Sequence, residues 1–162
     1  MTYRLTDLPV GEGTRRRDEL LALCAQAFCG APWHEPPLSA VRTVDRLLDA
    51  AARKDGFTAV IALAPDDALL GFAAGWNDTA LSGGAPAFEL AELVVAPAHQ
   101  GQGIGKHLHD ALLVVGTSGP ALLMTLDVPE LTDRYARWGW STVDRRTPGT
   151  EERQYAVMRW GP

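Results

Sequence analysis

The segment Gln100-Gly101-Gln102-Gly103-Ile104-Gly105-Lys106 places three glycines at alternate positions immediately ahead of an amphipathic stretch. Without a β-carbon, glycine enters conformations that other residues avoid, so successive backbone N–H groups can turn toward one point. A helix starting there adds N–H groups with no intrahelical acceptor, and the positive end of its dipole. The chemistry open to this spacing is the holding of a phosphate or pyrophosphate. A P-loop needs four residues between its glycine and Gly-Lys, followed by Ser or Thr. Here Gly101 and Gly105 enclose only Gln102, Gly103 and Ile104, and His107 follows Lys106. A dinucleotide fingerprint needs Gly-x-Gly-x-x-Gly, and counting from Gly101 or Gly103 the third glycine is missing. Asp127 nevertheless stands roughly where the ribose-binding acid of that fold would be, so a dinucleotide-binding oxidoreductase stays open as an alternative.

The elements that must position this loop follow from periodicity. Tyr3 and Leu5 alternate into a first strand before Pro9, and Gly11-Glu12-Gly13-Thr14 breaks the chain, with Thr14 placed to cap a helix. Leu20, Leu21, Cys24, Ala27 and Phe28 recur at helical spacing up to Gly30. The prolines of Ala31–Pro37 forbid helix, and Ser39 can cap a second one with its stripe at Val41, Val44, Leu47, Leu48 and Ala51, stopped at Gly56. Phe57–Leu63 and Leu69–Trp76 read as a hairpin across Pro65-Asp66-Asp67, and Ala87–Val95 as a third apolar strand. After the glycines, Ile104, Leu108, Ala111, Leu112 and Val115 share one helical face. Ala121–Val128 is a buried-type strand, Leu131–Trp138 a short helix, and Trp140–Arg145 with Gln154–Trp160 a closing hairpin around Pro148-Gly149. The order is β-α-α-β-β-β-α-β-α-β-β. It predicts an α/β fold with a mixed, mostly antiparallel central sheet and helices on both faces.

Gln100-Gly101-Gln102-Gly103-Ile104-Gly105 matches Gln/Arg-x-x-Gly-x-Gly/Ala and so resembles the acetyl-CoA loop of the GNAT N-acetyltransferase superfamily. The approach Leu93-Val94-Val95-Ala96-Pro97 is similar to that family's Leu-x-Val-x-Pro. Asp133-Arg134-Tyr135-Ala136-Arg137-Trp138-Gly139-Trp140 resembles its Leu-Tyr-x-x-x-Gly-Phe segment, with Arg134 in place of leucine and Trp140 in place of phenylalanine. No asparagine precedes Tyr135 across Val128–Asp133, where the family usually has one. The element order is also the family's, so the likeness covers nearly the whole chain as a single domain, 1–162.

The resemblance implies acetyl transfer from acetyl-CoA to a primary amine by direct attack on the thioester, with no metal. It implies a cofactor site at Leu93, Val94, Val95, Gln100, Gly101, Gln102, Gly103, Ile104, Gly105, Lys106 and Tyr135, and makes Tyr135 the acid that protonates the leaving sulfur. The amine must be neutral to attack, so a base has to take its proton. Glu92, Glu89 and Asp127 compete for that task in that order, because a carboxylate in an apolar strand is costly to bury and its pKa rises. Strand alternation sets Glu89 and Glu92 on opposite faces, so only one would face the acceptor. The family's acceptor pocket corresponds here to Trp33, His34 and Glu35 with Trp76, Asn77 and Asp78, aromatics beside carboxylates that suit a cationic amine. The same tryptophans would equally plug the core edge or a homodimer interface. A non-catalytic acyl-CoA sensor on this fold is the other standing alternative.

Composition bounds these readings. A chain of 162 residues with 46% hydrophobic and 22% charged residues fits one soluble domain. The net charge of -5 speaks against a nucleic-acid surface, and no apolar run approaches a membrane span. With no signal-like apolar segment at the N-terminus, a cytoplasmic location is the default expectation. Cys24 and Cys29 are expected to be buried, reduced thiols on different helix faces. His107 and His109 diverge on their helix and make no metal site, and His99 is expected to point into solvent.

Overall fold

Apolar β-branched runs bounded by turn residues become strands, and the 3.6-residue stripes become helices. The computed structural model describes residues 2–150 and 152–162. Its elements are β1 (Arg4–Asp7), α1 (Val10–Arg15), α2 (Arg17–Cys29), α3 (Pro37–Arg53), β2 (Thr58–Leu63), β3 (Leu69–Asp78), β4 (Ala87–Val95), α4 (Ile104–Gly116), β5 (Ala121–Leu126), α5 (Pro129–Arg137), β6 (Trp140–Arg146) and β7 (Tyr155–Trp160), with one 3-10 turn at Pro97–His99. The strands form one sheet in the order β1-β2-β3-β4-β5-β7-β6. Among the described residues only β4 and β5 pair in parallel. A doubly wound dinucleotide fold needs a mostly parallel sheet, so this topology removes the oxidoreductase alternative.

Two helix starts differ from the expectation. Gly11–Thr14 does not break the chain: it lies inside α1, which follows the extended Pro9. Glu12 reaches both Arg15 and Arg16, and these local ion pairs offset the low helix propensity of Gly11 and Gly13. Likewise α3 opens at Pro37, whose fixed φ suits a first helical position, and Ser39 spends its hydroxyl on Glu35 instead of capping.

The core lies in two layers, one on each face of the sheet. Leu20, Leu23, Cys24, Ala40, Val44 and Leu47 of α2 and α3 pack on Ile61, Phe72, Ala74 and Val94. On the other face Ile104, Leu108, Leu112 and Leu113 of α4 pack on Val60, Ala73, Phe88 and Leu90, together with Tyr135 and Trp140. Cys24 is buried as expected, and burial pushes its thiol up to about 12. Cys29 is exposed, because it ends α2 facing away from the sheet.

The functional geometry comes from two irregularities in β4. Leu90 opposes Gly75 and Glu92 opposes Ala74, so Ala91 is the extra residue of a bulge. Gly75 permits it: a β-carbon there would lie 2.5 Å from the Glu89 carbonyl oxygen and from the Phe88 ring. Phe88 and Leu90 face α4, as do Leu93 and Val95 beyond the bulge, whereas Val94 and Ala96 face α2 and α3. The bulge absorbs one step of alternation, so Glu89 and Glu92 both lie on the α3 face and not on opposite faces. The second irregularity is a splay. β4 and β5 pair only at Phe88↔Ala121 and Glu89↔Leu122 and then part.

Candidate active site

At one end of the splay lies a cavity of about 300 Å³ lined by Leu93, Val94, Val95, Gln100, Gly101, Gly103, Gly105 and Lys106, closed from α5 by Arg134, Tyr135, Arg137 and Trp138. Gly101 and Gly103 have φ of 77° and 86°, in the left-handed region that favours glycine, and neither side is crowded by protein. Gly103 precedes α4 and supplies no side-chain cap, so the first-turn N–H groups of Ile104, Gly105 and Lys106 have no intrahelical acceptor. Gln100 lines the cavity, and its amide donates to the Val95 carbonyl at 3.0 Å and braces the loop against the strand. Ile104 is buried in the core and Gln102 is exposed outside the cavity lining. His99 lines this cavity instead of pointing away from it. Uncapped donors and the cations Lys106, Arg134 and Arg137 fit a diphosphate ligand.

A second cavity, of about 320 Å³, occupies the opening between β4 and β5, bounded by Leu90–Leu93 and Leu123–Thr125 and roofed by Phe28, Trp33, Glu35 and Tyr155. Phe28, Trp33, Leu93 and Tyr135 line both cavities, so the two meet there. Tyr135 is buried one turn after Leu131 on α5, and burial pushes its phenol up to about 12. It therefore keeps its proton at neutral pH. Glu92 lines the second cavity at 8% exposure and is ion-paired with Arg46 of α3, itself 60% exposed. Burial raises the Glu92 carboxyl, and the nearby guanidinium only partly opposes it.

The other expected residues separate. Glu89, also 8% exposed, lines a third cavity with Trp76, Asp78, Lys54 and Arg46, and accepts the Leu81 N–H at 3.0 Å. Its carboxyl is raised mainly by burial. Trp76 is buried and stacks on Phe57. Asn77 lines none of these cavities; its amide binds Asp55 beside Gly56 and secures that turn. His34 is exposed, also outside all three. Asp127 is outside them too, and accepts from Arg145 at 2.9 Å. Glu35 spends one oxygen on Ser39 and the other on Arg153, which also donates to the Trp33 carbonyl. Sequence reading missed Arg46, Thr43, Arg137, Tyr155 and Arg153. Their approach depends on the splay and on packing between distant elements, for which no local spacing gives a signal. Among the described residues no group of three His, Cys, Asp or Glu could hold a metal ion. Among them, too, no helix is long and apolar enough to cross a membrane.

This site class, a glycine loop and a tyrosine helix flanking a sheet splayed at a bulge, agrees with the family comparison. The model of the acetyltransferase (GNAT) family matches residues 19–130, more than half the chain. The chain belongs to that family. No curated protein sequence matches it significantly. Among solved structures, it is similar to the PaiA N-acetyltransferase from Thermoplasma acidophilum in complex with coenzyme A, at 16% identity over 100% of both chains with a TM-score of 0.69. It is also similar to a GNAT-family acetyltransferase from Bacillus cereus (12% identity, 99% and 98% of the chains, TM-score 0.67). A third is a protein assigned to the GNAT acetyltransferases from Desulfovibrio desulfuricans (20%, 99% of both, TM-score 0.69). At these identities the likeness speaks for the fold.

Proposed function

We propose that the protein moves an acetyl group from acetyl-CoA to a primary amine by direct attack on the thioester. The observation that carries this reading is the junction of the two cavities at Leu93 and Tyr135, with the glycine loop at one end and Glu92 at the other. The N–H groups of Gly101–Lys106, with Lys106, Arg134 and Arg137, hold the diphosphate. Beyond Glu89, the backbone donors of β4 that face β5 have no strand to bond, and they stabilise the oxygen of the attacked carbonyl. Glu92 takes the proton of the amine. It is favoured over Glu89 and Asp127 because it alone of the three lines the cavity that Tyr135 also lines. The C–N bond forms as the C–S bond breaks, and the Tyr135 hydroxyl gives its proton to the departing sulfur. Cys24, buried with a raised pKa, offers no thiolate for a covalent route. Trp33 and Glu35 shape the acceptor side.

Thermal shift with acetyl-CoA and with NAD, followed by amine-dependent release of free CoA, tests this reading. Stabilisation by acetyl-CoA at concentrations about 100-fold above Kd should amount to about 2.7 kcal/mol. Stabilisation by NAD alone would overturn the cofactor, and acetyl-CoA binding with no CoA release across an amine panel would point to a sensor.

A further inference from the structure

His109 is 1% exposed, although it belongs to a helix otherwise buried through aliphatic side chains. Its Nε2 lies 2.8 Å from Trp140 Nε1, and its Nδ1 lies 2.8 Å from Asp110 Oδ1. An indole N–H can only donate. His109 Nε2 must therefore carry the lone pair, Nδ1–H donates a hydrogen bond to Asp110, and the ring is held from both edges as one neutral tautomer. Asp110 is in turn held by Lys106.

The same ring closes an aromatic circuit. His109 lies 4.9 Å from Trp138 and 6.0 Å from Trp140 between ring centres. Those two tryptophans stand edge-on to Tyr135, at 5.6 Å and 6.1 Å. Among the described residues no hydrogen bond is made by the Tyr135 hydroxyl, so its direction is set by the walls around its ring. Indole walls are wide and fix a ring only if they are themselves fixed. Trp138 and Trp140 flank the end of α5, where Gly139 turns the chain at φ 96°, and the group that ties Trp140 to the rigid α4 is His109.

We propose that His109 is a positioning residue that aims Tyr135 at the junction of the two cavities, acting through Trp140 and Trp138. The inference rests on Tyr135 being the acid of acetyl transfer. It predicts that His109→Leu lowers kcat about tenfold, as misaimed catalytic groups do, while KM for acetyl-CoA stays within about twofold. His109→Gln should recover most of kcat, because its amide oxygen can accept from Trp140 while its NH₂ donates to Asp110.

The deciding measurement is a double-mutant cycle with Tyr135→Phe. If His109 works through Tyr135, His109→Leu costs nothing further in kcat once the hydroxyl is gone. Unchanged kcat in a folded His109→Leu protein, or a loss that adds in full to that of Tyr135→Phe, would overturn the inference and leave the acid reading intact. Should Tyr135→Phe itself retain full kcat, the acid reading fails and the positioning role falls with it. If His109→Leu does not fold because Trp140 is left with an orphaned donor, Trp140→Phe cuts the same bond without one. The same loss and the same non-additivity are then expected, and full activity would count against the proposal.

Discussion

Glu92 combines two properties that pull in opposite directions. It is buried on the α3 face of β4, which favours its protonated form, and it faces Arg46, which favours the charged form. Burial is the larger influence, so the folded chain binds this proton more tightly than the unfolded chain does. Stability from this position therefore grows as pH falls through the folded pKa, the reverse of an ordinary salt-bridged carboxylate. If Glu92 is the base proposed above, activity has the opposite sign, since a base must be deprotonated, and kcat/KM should rise with pH through that elevated pKa. Glu92→Gln separates the two. It should lower kcat about 100-fold or more and erase the acid limb of the profile, in line with the usual worth of a general base. Its melting temperature at pH 7 should be no lower than the parent's, because a charge is no longer buried and Arg46 is left mostly in water. A clear fall in melting temperature with activity retained would make Glu92 a structural partner of Arg46. Its apolar strand neighbours made this carboxylate visible in sequence. Arg46 was not, because nothing in the α3 stripe says which strand position its solvent edge will meet.

Among the elements, the loop ahead of α4 was the most legible, since alternate glycines before a periodic stripe are local information and the backbone follows it at Gly101 and Gly103. The bulge in β4, which the family resemblance implies at Leu93–Val95 and which falls at Ala91, was illegible from its residues for the opposite reason. Phe88–Val95 reads as unbroken apolar strand, and the extra residue is accommodated by the absence of a side chain at Gly75 on the neighbouring strand. The α1 segment misled because glycine signals a break unless tertiary packing uses it, and a β-carbon on Gly13 would come within 3.3 Å of Leu48 on α3. Gly103 offers a test confined to one element. No protein atom lies within 4 Å of a β-carbon built there, so a substitution acts through its φ of 86° and not through a clash. Left-handed conformation costs a non-glycine residue about 1–2 kcal/mol. Gly103→Val should lower the melting temperature by about 2–8 °C, taking about 2–4 °C per kcal/mol at this size. KM for acetyl-CoA should rise about tenfold as the first-turn donors lose their aim. An unchanged KM, read by steady-state kinetics, would show that the loop does not hold the diphosphate.

Across the whole molecule, the site exists because the sheet comes apart. Residues up to β4 supply Glu92 and the Phe28–Glu35 roof, residues from β5 onward supply Tyr135 and Tyr155, and the two parts share only two paired positions before they diverge. The β2–β3 and β6–β7 hairpins followed from the alternation of strand and turn signals, but the seating of β7 between β5 and β6 and the divergence of β4 from β5 did not, since they depend on register between distant elements. Arg153, next to the start of β7, answers the splay. Its guanidinium donates to the Trp33 carbonyl at 2.7 Å and to Glu35 at 2.7 Å, and it lies over the Tyr155 ring, so it ties the α2–α3 loop to the far side of the cleft. The pair is partly shielded, so salt should weaken it less than a surface bridge. Arg153→Ala removes the tie without touching either Glu92 or Tyr135. If the roof shapes the acceptor site, KM for the amine should rise about five- to tenfold while KM for acetyl-CoA and kcat at saturation stay near the parent's, the pattern of lost uniform binding. Loss of kcat together with acetyl-CoA affinity would mean instead that the tie holds the sheet halves in register, and the roof would then belong to the fold and not to the acceptor.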